Sequence, residues 1–172
     1  MTNNCYEILL KRKSTRHFQE KDVEMELIYK ILEAARWAPS GLNNQPWKFI
    51  IIKNHEIKEK IGNLSHYRRI FLEAPVLIPF FLDKSSIYHR EKDIMGVGAA
   101  VENILIAVET LGLGAVWLGE IIKARKEVED ILQTPENLEL LGVVALGYPK
   151  ETNKKRKRKR KELKEIIFKE IL

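Results

Sequence analysis

Residues 39–53, PSGLNNQPWKFIIIK, join a polar, turn-rich loop to an apolar run that starts at Trp47. Residues 49–52 are apolar on both faces of a strand, a pattern typical of strands that are covered on both sides. We therefore expect a strand from Trp47 to Lys53 that lies centrally in a sheet. The amide side chains of the loop both donate and accept hydrogen bonds, which suits the edge of a heterocycle. A plain helix-to-strand connection built from turn-forming residues is the alternative.

Apolar spacing on either side of this stretch predicts an alternation of helices and strands. Asp22 is the expected N-cap of the helix before the loop, and Pro39 is expected to end that helix. Pro79 predicts either a bulge or an edge position for its own strand. The predicted helices are 3–12, 22–38, 55–72 with a break near Gly62, 94–111 and 123–132, and the further strands are 75–82, 115–118 and 141–147. This order predicts one layered α+β domain over residues 1–172.

Two glycines, Gly96 and Gly98, lie inside the predicted helix 94–111, which is apolar around much of its circumference. Each glycine costs about 0.5–1 kcal/mol relative to alanine in a helix. We therefore expect another backbone or a flat ring to come close to this helix. Gly112 is expected to end it.

A second stretch, Arg12-Lys13-Ser14-Thr15-Arg16, brings two guanidinium groups and a hydroxyl into a small volume. In an extended segment, positions 12, 14 and 16 point to the same side. Arginine forks match phosphate oxygens in bidentate geometry, and the serine hydroxyl adds a neutral donor. This stretch and the loop at 39–47 together suit the two ends of a phosphorylated cofactor. The alternative for residues 12–16 is a solvated basic turn after a helix.

The positive charge of the chain is concentrated in one segment. Lys154 to Lys161 is an unbroken run of eight of the 30 basic residues. Outside this run the chain has 22 basic and 24 acidic residues, a small net negative charge. Because the body is slightly acidic, we do not expect it to bind nucleic acid broadly. A nucleic-acid-binding protein acting through residues 154–161 is one alternative, since blocks of like charge are often interaction tails. A solvated linker and a contribution to binding a cofactor phosphate are the other two.

The apolar segments and the N-terminal residues predict the cellular location of the protein and its packing on a partner. Residues 162–172 are too apolar for a free tail, and we expect them to pack on another surface, with a partner subunit as the candidate. The longest apolar run, Ala74 to Leu82, is far shorter than the about 20 residues that a membrane-spanning helix needs. Residues 2–4 lead into a charged rather than an apolar segment, so we expect no secretory leader, and the single cysteine, Cys5, allows no internal disulfide. We expect a cytoplasmic protein with no membrane association.

The sequence shows no acid–base or metal-binding constellation, so we expect neither a catalytic side chain nor a metal site. The four histidines lack metal-ligand spacing, and Cys5 has no activating neighbour in sequence. Residues 96–101, GVGAAV, lie within a predicted helix rather than after a strand, which argues against a dinucleotide fingerprint. One aromatic and basic set suits either the border of a substrate pocket or exposed surface: Tyr67, Arg68, Arg69, Tyr88, His89 and Arg90.

Four segments together resemble the nitroreductase family of FMN-dependent oxidoreductases, in the same order and across nearly the whole chain. They are RKSTRHF at 12–18, AARWAPSGLNNQPWKF at 34–49, GLGAVWLG at 112–119 and ALGYP at 145–149. The first two are specific in combination, and the last two are weak alone. The resemblance implies a layered α+β fold whose central, mostly antiparallel sheet is flanked by helices. It also implies a homodimer with two FMN sites at the subunit interface.

The resemblance further implies a set of cofactor-binding residues in each segment. Those implied for the FMN phosphate are Arg12, Lys13, Ser14 and Arg16, with Arg160, or secondly Arg158, added from the C-terminal region. Those implied for the flavin ring are Pro39, Ser40, Gly41, Asn43 and Gln45, often donated by the other subunit, and Trp117, Leu118 and Gly119 beside the isoalloxazine. The basic run is unusually long for the family, which leaves the position of the C-terminal arginine open by a residue or two.

In function, the resemblance implies an FMN-dependent oxidoreductase that uses NADH or NADPH to reduce an electron-poor acceptor, of nitroaromatic or quinone type, by a ping-pong mechanism. Flavin carries the electron chemistry itself, so the protein has only to position, polarise and exclude. Dehalogenation, flavin fragmentation and azoline oxidation are alternatives on the same fold. The pocket lid would decide among them, and the chain is short enough that we expect this lid to be minimal.

Overall fold

A sheet of four strands lies between two layers of helices in the computed structural model, which describes residues 5–150 and 159–172. The helices are α1 (Cys5–Lys11), α2 (Met25–Arg36), α3 (His55–Gly62), α4 (Arg68–Glu73), α5 (Arg90–Thr110) and α6 (Arg125–Leu132). The strands are β1 (Trp47–Phe49), β2 (Val76–Asp83), β3 (Gly114–Leu118) and β4 (Leu138–Gly147). Single 3₁₀ turns span Gly41–Asn43, Glu120–Ala124 and Leu163–Glu165. The predicted layered α+β architecture is confirmed.

The strands pair in the order β1-β2-β4-β3, and every pairing among the described residues is antiparallel. Alternate side chains of β2 and β4 enter two separate cores. One core contains Phe80 and Val144 and is closed by α2 and α5. The other contains Phe81 and Val143 and is closed by α3, α4 and α6. Both faces of the sheet are therefore covered by helices.

The prediction that Trp47 to Lys53 forms a central strand is wrong. The strand ends at Phe49 and lies at an edge of the described sheet, and only an isolated bridge from Ile52 to Leu77 continues the pairing. The apolar run has another cause, because Ile51 packs against one core and Ile52 is buried in the other. Helices thus cover both faces of the segment even though its hydrogen-bonding position is peripheral.

Pro79 lies in β2, which is an inner strand, so the edge position considered for it is wrong and the bulge is confirmed. The register of β2 against β4 shifts between Phe80 and Phe81, where Gly142 is the partner of Phe80. The Pro79 carbonyl still accepts a hydrogen bond from the Ile50 N–H at 3.1 Å. The strand therefore continues through the proline, and the register shift follows it between Phe80 and Phe81.

The predicted N-cap at Asp22 is also wrong. The cap position of α2 is Glu24, and the Asp22 carboxylate instead accepts a hydrogen bond from Lys53 Nζ at 2.6 Å. At its other end, α2 stops at Arg36 with Trp37 as its C-cap, two residues before Pro39. The proline restricts the backbone of Ala38 and prevents the helix from continuing past it. This early end begins the loop that matters for the site.

Helix α5 begins at Arg90, four residues before the predicted start, and ends at Thr110, one residue before the predicted end. Gly112 follows it with φ +73°, as expected of a glycine that ends a helix. The predicted close approach occurs at Gly96, where a Cβ would lie 3.5 Å from the Pro39 carbonyl oxygen. At Gly98, a Cβ would meet no described atom within 4 Å. Gly96 therefore packs against the loop, whereas Gly98 packs against no described residue outside its helix.

The C-terminal residues 159–172 contain one 3₁₀ turn and expose their apolar side chains. Phe168 is fully exposed, Ile171 is 83% exposed and Leu163 is 73% exposed. The chain itself therefore does not cover this segment, and its packing on a partner subunit stays a prediction. None of the helices formed by the described residues combines the length and the apolar character that crossing a membrane requires.

Candidate active site

Residues 12–16, the anchor segment, are held in extended form against β3. The Thr15 N–H donates to the Ala115 carbonyl at 2.8 Å, and Ser14 forms a parallel bridge with the same residue. The Thr15 side chain occupies the space above Gly114, where a Cβ would lie only 2.5–2.8 Å from three of its atoms. Because side chains alternate along an extended segment, those of Ser14 and Arg16 project away from the sheet.

The anchor segment presents cationic groups with few internal partners. The Arg12 guanidinium, 20% exposed, has its Nε 3.6 Å from Glu102 Oε1 on α5. Arg16 Nη1 is 3.4 Å from the Ser14 carbonyl, and Lys13 is exposed. These contacts are long, so the guanidinium donors keep most of their capacity for an anionic ligand. Glu102 is the described counter-charge that such a ligand would displace or share.

The second stretch, residues 39–45, forms a strained turn. Leu42, Asn43 and Gln45 have φ values of 54°, 55° and 48°, in the left-handed region. Asparagine tolerates this region, whereas each of the other two residues costs on the order of 1–3 kcal/mol there. Such conformations persist only where the surroundings determine them strongly. The loop is therefore a segment with a specific shape rather than a plain connection.

Hydrogen bonds within the loop fix part of this shape. The Ser40 hydroxyl oxygen accepts from the Gln45 N–H at 3.0 Å, and the Ser40 carbonyl accepts from the Asn43 N–H at 3.2 Å. Gln45 Nε2 lies 3.1 Å from the Asn43 carbonyl and 3.3 Å from its Oδ1. Ser40 thus serves the loop itself, while the amides of Asn43 and Gln45 remain exposed and paired with each other.

Two glycines allow the loop to pack closely. A Cβ on Gly41 would overlap the phenol ring of Tyr88, which covers this turn from the segment before α5. Gly96 of α5 lies beneath Pro39 and Ser40, whose nearest atoms are 3.5 and 3.8 Å from its Cβ position. The loop is therefore confined between α5 and Tyr88.

The third predicted segment, the end of β3, presents one exposed ring. Trp117 is 42% exposed and meets Phe80 edge to face, with centroids 5.4 Å apart. Its indole lies over Gly142, where a Cβ would be 3.1 Å from Nε1. Leu118 is buried in the second core, so only its backbone can meet a ligand. Gly119 follows, its Cβ position 3.7 Å from the same indole nitrogen.

Glu120, directly after Gly119, is ionised rather than poised to donate a proton. It accepts a hydrogen bond from the Ser65 hydroxyl at 2.7 Å and has Lys123 Nζ at 3.5 Å. The Ser65 bond, supported by Lys123, lowers the pKa of this carboxyl despite some burial. No group of three or more metal-ligating side chains occurs within residues 5–150 and 159–172.

The structure joins two of the three predicted segments and separates the third. The anchor segment pairs with β3 at Ala115, two residues before Trp117, so these two share one side of the molecule. Along α5, the anchor segment meets Glu102 and the loop meets Gly96. Six helical residues are about 9 Å of rise, and they place these contacts about 120° apart around the helix. The loop and the anchor segment therefore lie on different sides of α5.

The family model described as the nitroreductase family matches residues 9–68 and 63–148, which contain all three segments. The chain belongs to the nitroreductase family. It is 36% identical to a protein of Archaeoglobus fulgidus provisionally named NADH dehydrogenase/NAD(P)H nitroreductase, over 86% of each chain. It is 33% identical to the iodotyrosine deiodinase of Thermotoga neapolitana, over 84% of this chain and 88% of the other.

The nitroreductase fold is equally clear in three dimensions. A crystal structure from Desulfovibrio desulfuricans, provisionally described as a nitroreductase in complex with FMN, superposes with a TM-score of 0.92 at 35% identity. The match covers 100% of this chain and 99% of that one. The predicted family and its antiparallel sheet flanked by helices are confirmed.

Of the two C-terminal arginines, the structure describes only Arg160, which makes no described contact with the anchor segment. Arg160 is exposed and donates to the Lys159 carbonyl at 3.2 Å. Its hydrogen bonds and ion pairs among the described residues include none to the anchor segment. Arg158, and with it residues 154–158 of the basic run, lies outside the described residues. The role of either arginine at a phosphate stays a prediction.

Of the aromatic and basic set that was considered for a pocket border, Tyr88 contacts the loop. Arg90 instead forms a two-pronged ion pair with Glu139 at 2.6 and 2.8 Å. Arg68 binds Glu59, and Arg69 binds Glu73. Those three arginines have local structural partners, so their exposure does not indicate ligand binding.

Sequence reasoning missed two acidic residues that shape the site, Glu102 beside Arg12 and Asp93 beneath the loop. Asp93 is 1% exposed. An acidic residue near the start of a predicted helix was the only available signal for Asp93. Nothing in the sequence pointed to Glu102.

Proposed function

We propose that this nitroreductase-family chain is an FMN-dependent oxidoreductase that uses NADH or NADPH to reduce an electron-poor acceptor of nitroaromatic or quinone type. One observation carries the proposal: the anchor segment and the exposed ring of Trp117 are joined on one surface through Ala115. The FMN complex of the Desulfovibrio desulfuricans relative supports it. The provisional name of the Archaeoglobus fulgidus relative supports a nicotinamide donor.

The described residues fit FMN. Arg12, Ser14 and Arg16 supply donors for a phosphate on a backbone that Gly114 and β3 hold in place. Trp117 supplies an aromatic surface for a planar ring system. FMN, when bound, accepts a hydride from the nicotinamide and passes electrons to the acceptor. The chain has to bind and orient both substrates in turn, which explains a site without an acid–base pair.

The loop contributes to the same chemistry from a second chain. Since it lies on a different side of α5 from the anchor segment, a homodimer in which each loop covers the partner's anchor segment completes two equal sites. The exposed apolar residues of 163–172 supply surface for such an interface. In this arrangement the paired amides of Asn43 and Gln45 meet the ring edge.

Binding of FMN is the first test. The purified chain should take up FMN with quenching of flavin fluorescence, and anaerobic NADH or NADPH should bleach the yellow colour. Arg12→Ala should weaken FMN binding about tenfold or more, since charge-assisted bonds to phosphate contribute about 1.5–3 kcal/mol. Arg36→Ala is the matched control, because Arg36 is exposed and forms a local ion pair with Glu33. A colourless chain that binds no added FMN would refute the proposal.

A mixing experiment tests the shared site. One variant carries Arg12→Ala in the anchor segment, and the other carries Gln45→Ala in the loop. If each site uses both chains, random exchange of subunits in a mixture leaves about a quarter of the sites intact, because half the dimers are mixed and each has one intact site. If each site lies within one chain, the mixture binds no more FMN than the average of its components. That result would reject the shared arrangement while leaving the oxidoreductase proposal in place.

Reductive dehalogenation is the second candidate, and the iodotyrosine deiodinase of Thermotoga neapolitana is the observation that favours it. The connection from β2 to α5 that carries Tyr88 is short, at residues 84–89, and offers little cover for a pocket. Release of iodide from an iodinated phenol by the chain with FMN and a reductant would favour this reaction. Turnover of a nitroaromatic or quinone without iodide release would favour the first.

A further inference from the structure

Asn44 ties the loop to the segment that precedes α5. Its Nδ2 donates to Asp93 Oδ1 at 2.7 Å and to the Ser86 carbonyl at 3.0 Å. Its Oδ1 is buried and has no hydrogen-bond partner among the described residues. Asn44 is therefore held by its donors alone, and a residue of similar shape without these donors cannot replace it.

Asp93 links this amide to the segment that covers the loop. Its second oxygen accepts from the N–H groups of Tyr88 and His89 at 3.0 and 2.9 Å. Burial alone would raise the pKa of Asp93, but the bonds from Asn44 and the two backbone amides outweigh burial and lower it. The carboxylate is therefore ionised and organises groups from two separate stretches of chain.

The two stretches close on each other at a second point, where the Tyr88 ring packs against Gly41. The left-handed turn thus lies between two fixed contacts, the Asn44–Asp93 pair at one end and the ring at the other. The hydrogen bonds within the loop do not fix its position relative to α5. The Asn44–Asp93 pair does so by a directional bond, in addition to the packing of Pro39 and Ser40 on Gly96.

We propose that Asn44 is a positioning residue for the flavin, which acts through Asp93 to hold residues 39–45 in the left-handed form that meets the ring. The proposal rests on the proposed FMN function and deepens it. It assigns FMN affinity and the orientation of the bound ring to a pair of residues that do not themselves touch the ligand. It also predicts that exchanging the pair restores part of the affinity that Asn44→Asp loses.

Four variants of the full chain test this proposal: Asn44→Ala, Asn44→Asp, Asp93→Asn and the exchanged pair N44D/D93N. Asn44→Ala should raise the Kd for FMN about tenfold, since it removes a hydrogen bond to a charged group. Asn44→Asp should raise it further because two carboxylates would face each other. In N44D/D93N an amide again donates to a carboxylate, so the Kd should fall well below that of Asn44→Asp. It should not return fully to the wild-type value, because the carboxylate at position 44 cannot donate to the Ser86 carbonyl.

Asn137→Ala is the matched control. Asn137 Nδ2 donates to Asp83 Oδ1 at 2.9 Å, and Asp83 is 6% exposed, so the control removes a similar amide–carboxylate bond. It should leave the Kd for FMN unchanged. The visible circular dichroism of bound FMN, which reports ring orientation, should change in Asn44→Ala and Asn44→Asp. In the exchanged pair it should return part of the way from the Asn44→Asp spectrum towards that of the wild type.

The results of these experiments can overturn the proposal for Asn44 in two ways. Wild-type FMN affinity in Asn44→Ala and Asn44→Asp would overturn the proposal, as would a folded exchanged pair that binds FMN no better than Asn44→Asp. If Asn44→Asp fails to fold, the exchanged pair and Asn44→Ala still decide. A wild-type chain that binds no FMN would overturn the proposed function and this inference with it. A wild type that binds FMN and variants that bind equally well would overturn this inference alone.

Discussion

Replacing Gly114 by alanine should displace the anchor segment by a calculable amount. The new Cβ would lie 2.7 Å from Thr15 Cβ, and ordinary contact begins at 3.4 Å, so the two must separate by at least 0.7 Å. Thr15 Cβ is bonded to the backbone, so no side-chain rotation relieves this contact. The backbone of residues 14–16 has to move, and the hydrogen bond from the Thr15 N–H to the Ala115 carbonyl, 2.8 Å long, will lengthen or break.

The displacement has two separable costs. Overpacking of this kind destabilises by about 1–3 kcal/mol. A movement of this size also takes Ser14 and Arg16 out of hydrogen-bonding distance of a phosphate placed for the wild-type positions. Loss of about 1.4–2.8 kcal/mol of phosphate binding corresponds to a ten- to hundredfold higher Kd for FMN.

The assay compares FMN with riboflavin, which has the same ring but no phosphate. Gly114→Ala should weaken FMN binding ten- to hundredfold and riboflavin binding far less, so the ratio of their affinities falls. Gly147→Ala is the comparison variant, because Gly147 is the sheet partner of Gly114 and its Cβ would overlap Pro75 rather than Thr15. It should cost stability while largely preserving the ratio. An unchanged ratio in a folded Gly114→Ala variant would refute the assignment of residues 12–16 to the phosphate.

Two further predictions concern charged groups in the body of the fold. Lys58 is buried, donates to the Ala74 carbonyl at 2.7 Å and has its pKa lowered by burial. Because the folded chain then releases this proton at lower pH than the unfolded chain, stability should rise with pH below the unfolded value of 10.5. Lys58→Met should abolish this rise in thermal unfolding curves. Glu139→Gln should cost about 2 kcal/mol in urea unfolding at pH 7, since Arg90 loses its charged partner. The Arg90 bond lowers the pKa of Glu139, so the cost should disappear as the pH falls through that lowered value. A constant difference from pH 7 to pH 3 would contradict this.

The sequence predicts helices better than the position of a strand in the sheet. Helical spacing and a glycine stop located α5 and its end at Gly112 because these signals are local. The apolar run at 49–52 indicates that both faces of this segment are buried. Helices can bury both faces of an edge strand, so burial does not show how many neighbouring strands it is hydrogen-bonded to. The error at Asp22 is similar, because the capping preference is local but Lys53, 31 residues away, binds that carboxylate instead.

Some residues of the candidate site could be predicted from the sequence and others could not, for the same reason. Arg12 to Arg16 and the 39–45 loop were predicted from residue types that suit a phosphate and a heterocycle, since direct binding chemistry is visible in side chains. Asp93 and Glu102 were missed because their roles depend on which helix face meets which segment. The separation of the loop from the anchor segment likewise becomes apparent only from their contacts with α5.

Helix α5 supports the proposal that the site is shared between two chains. One face of it meets the loop at Gly96, another meets Arg12 at Glu102, and Gly98 faces no described atom. These contacts lie about 120° apart around the helix. In the proposed dimer, the loop of one chain would face the anchor segment of the other. Under this proposal, linkage requires that a ligand bound by both chains stabilise the dimer and that dimerisation raise the affinity for the ligand by the same factor. The positions that hold the loop then matter as much to assembly as to binding.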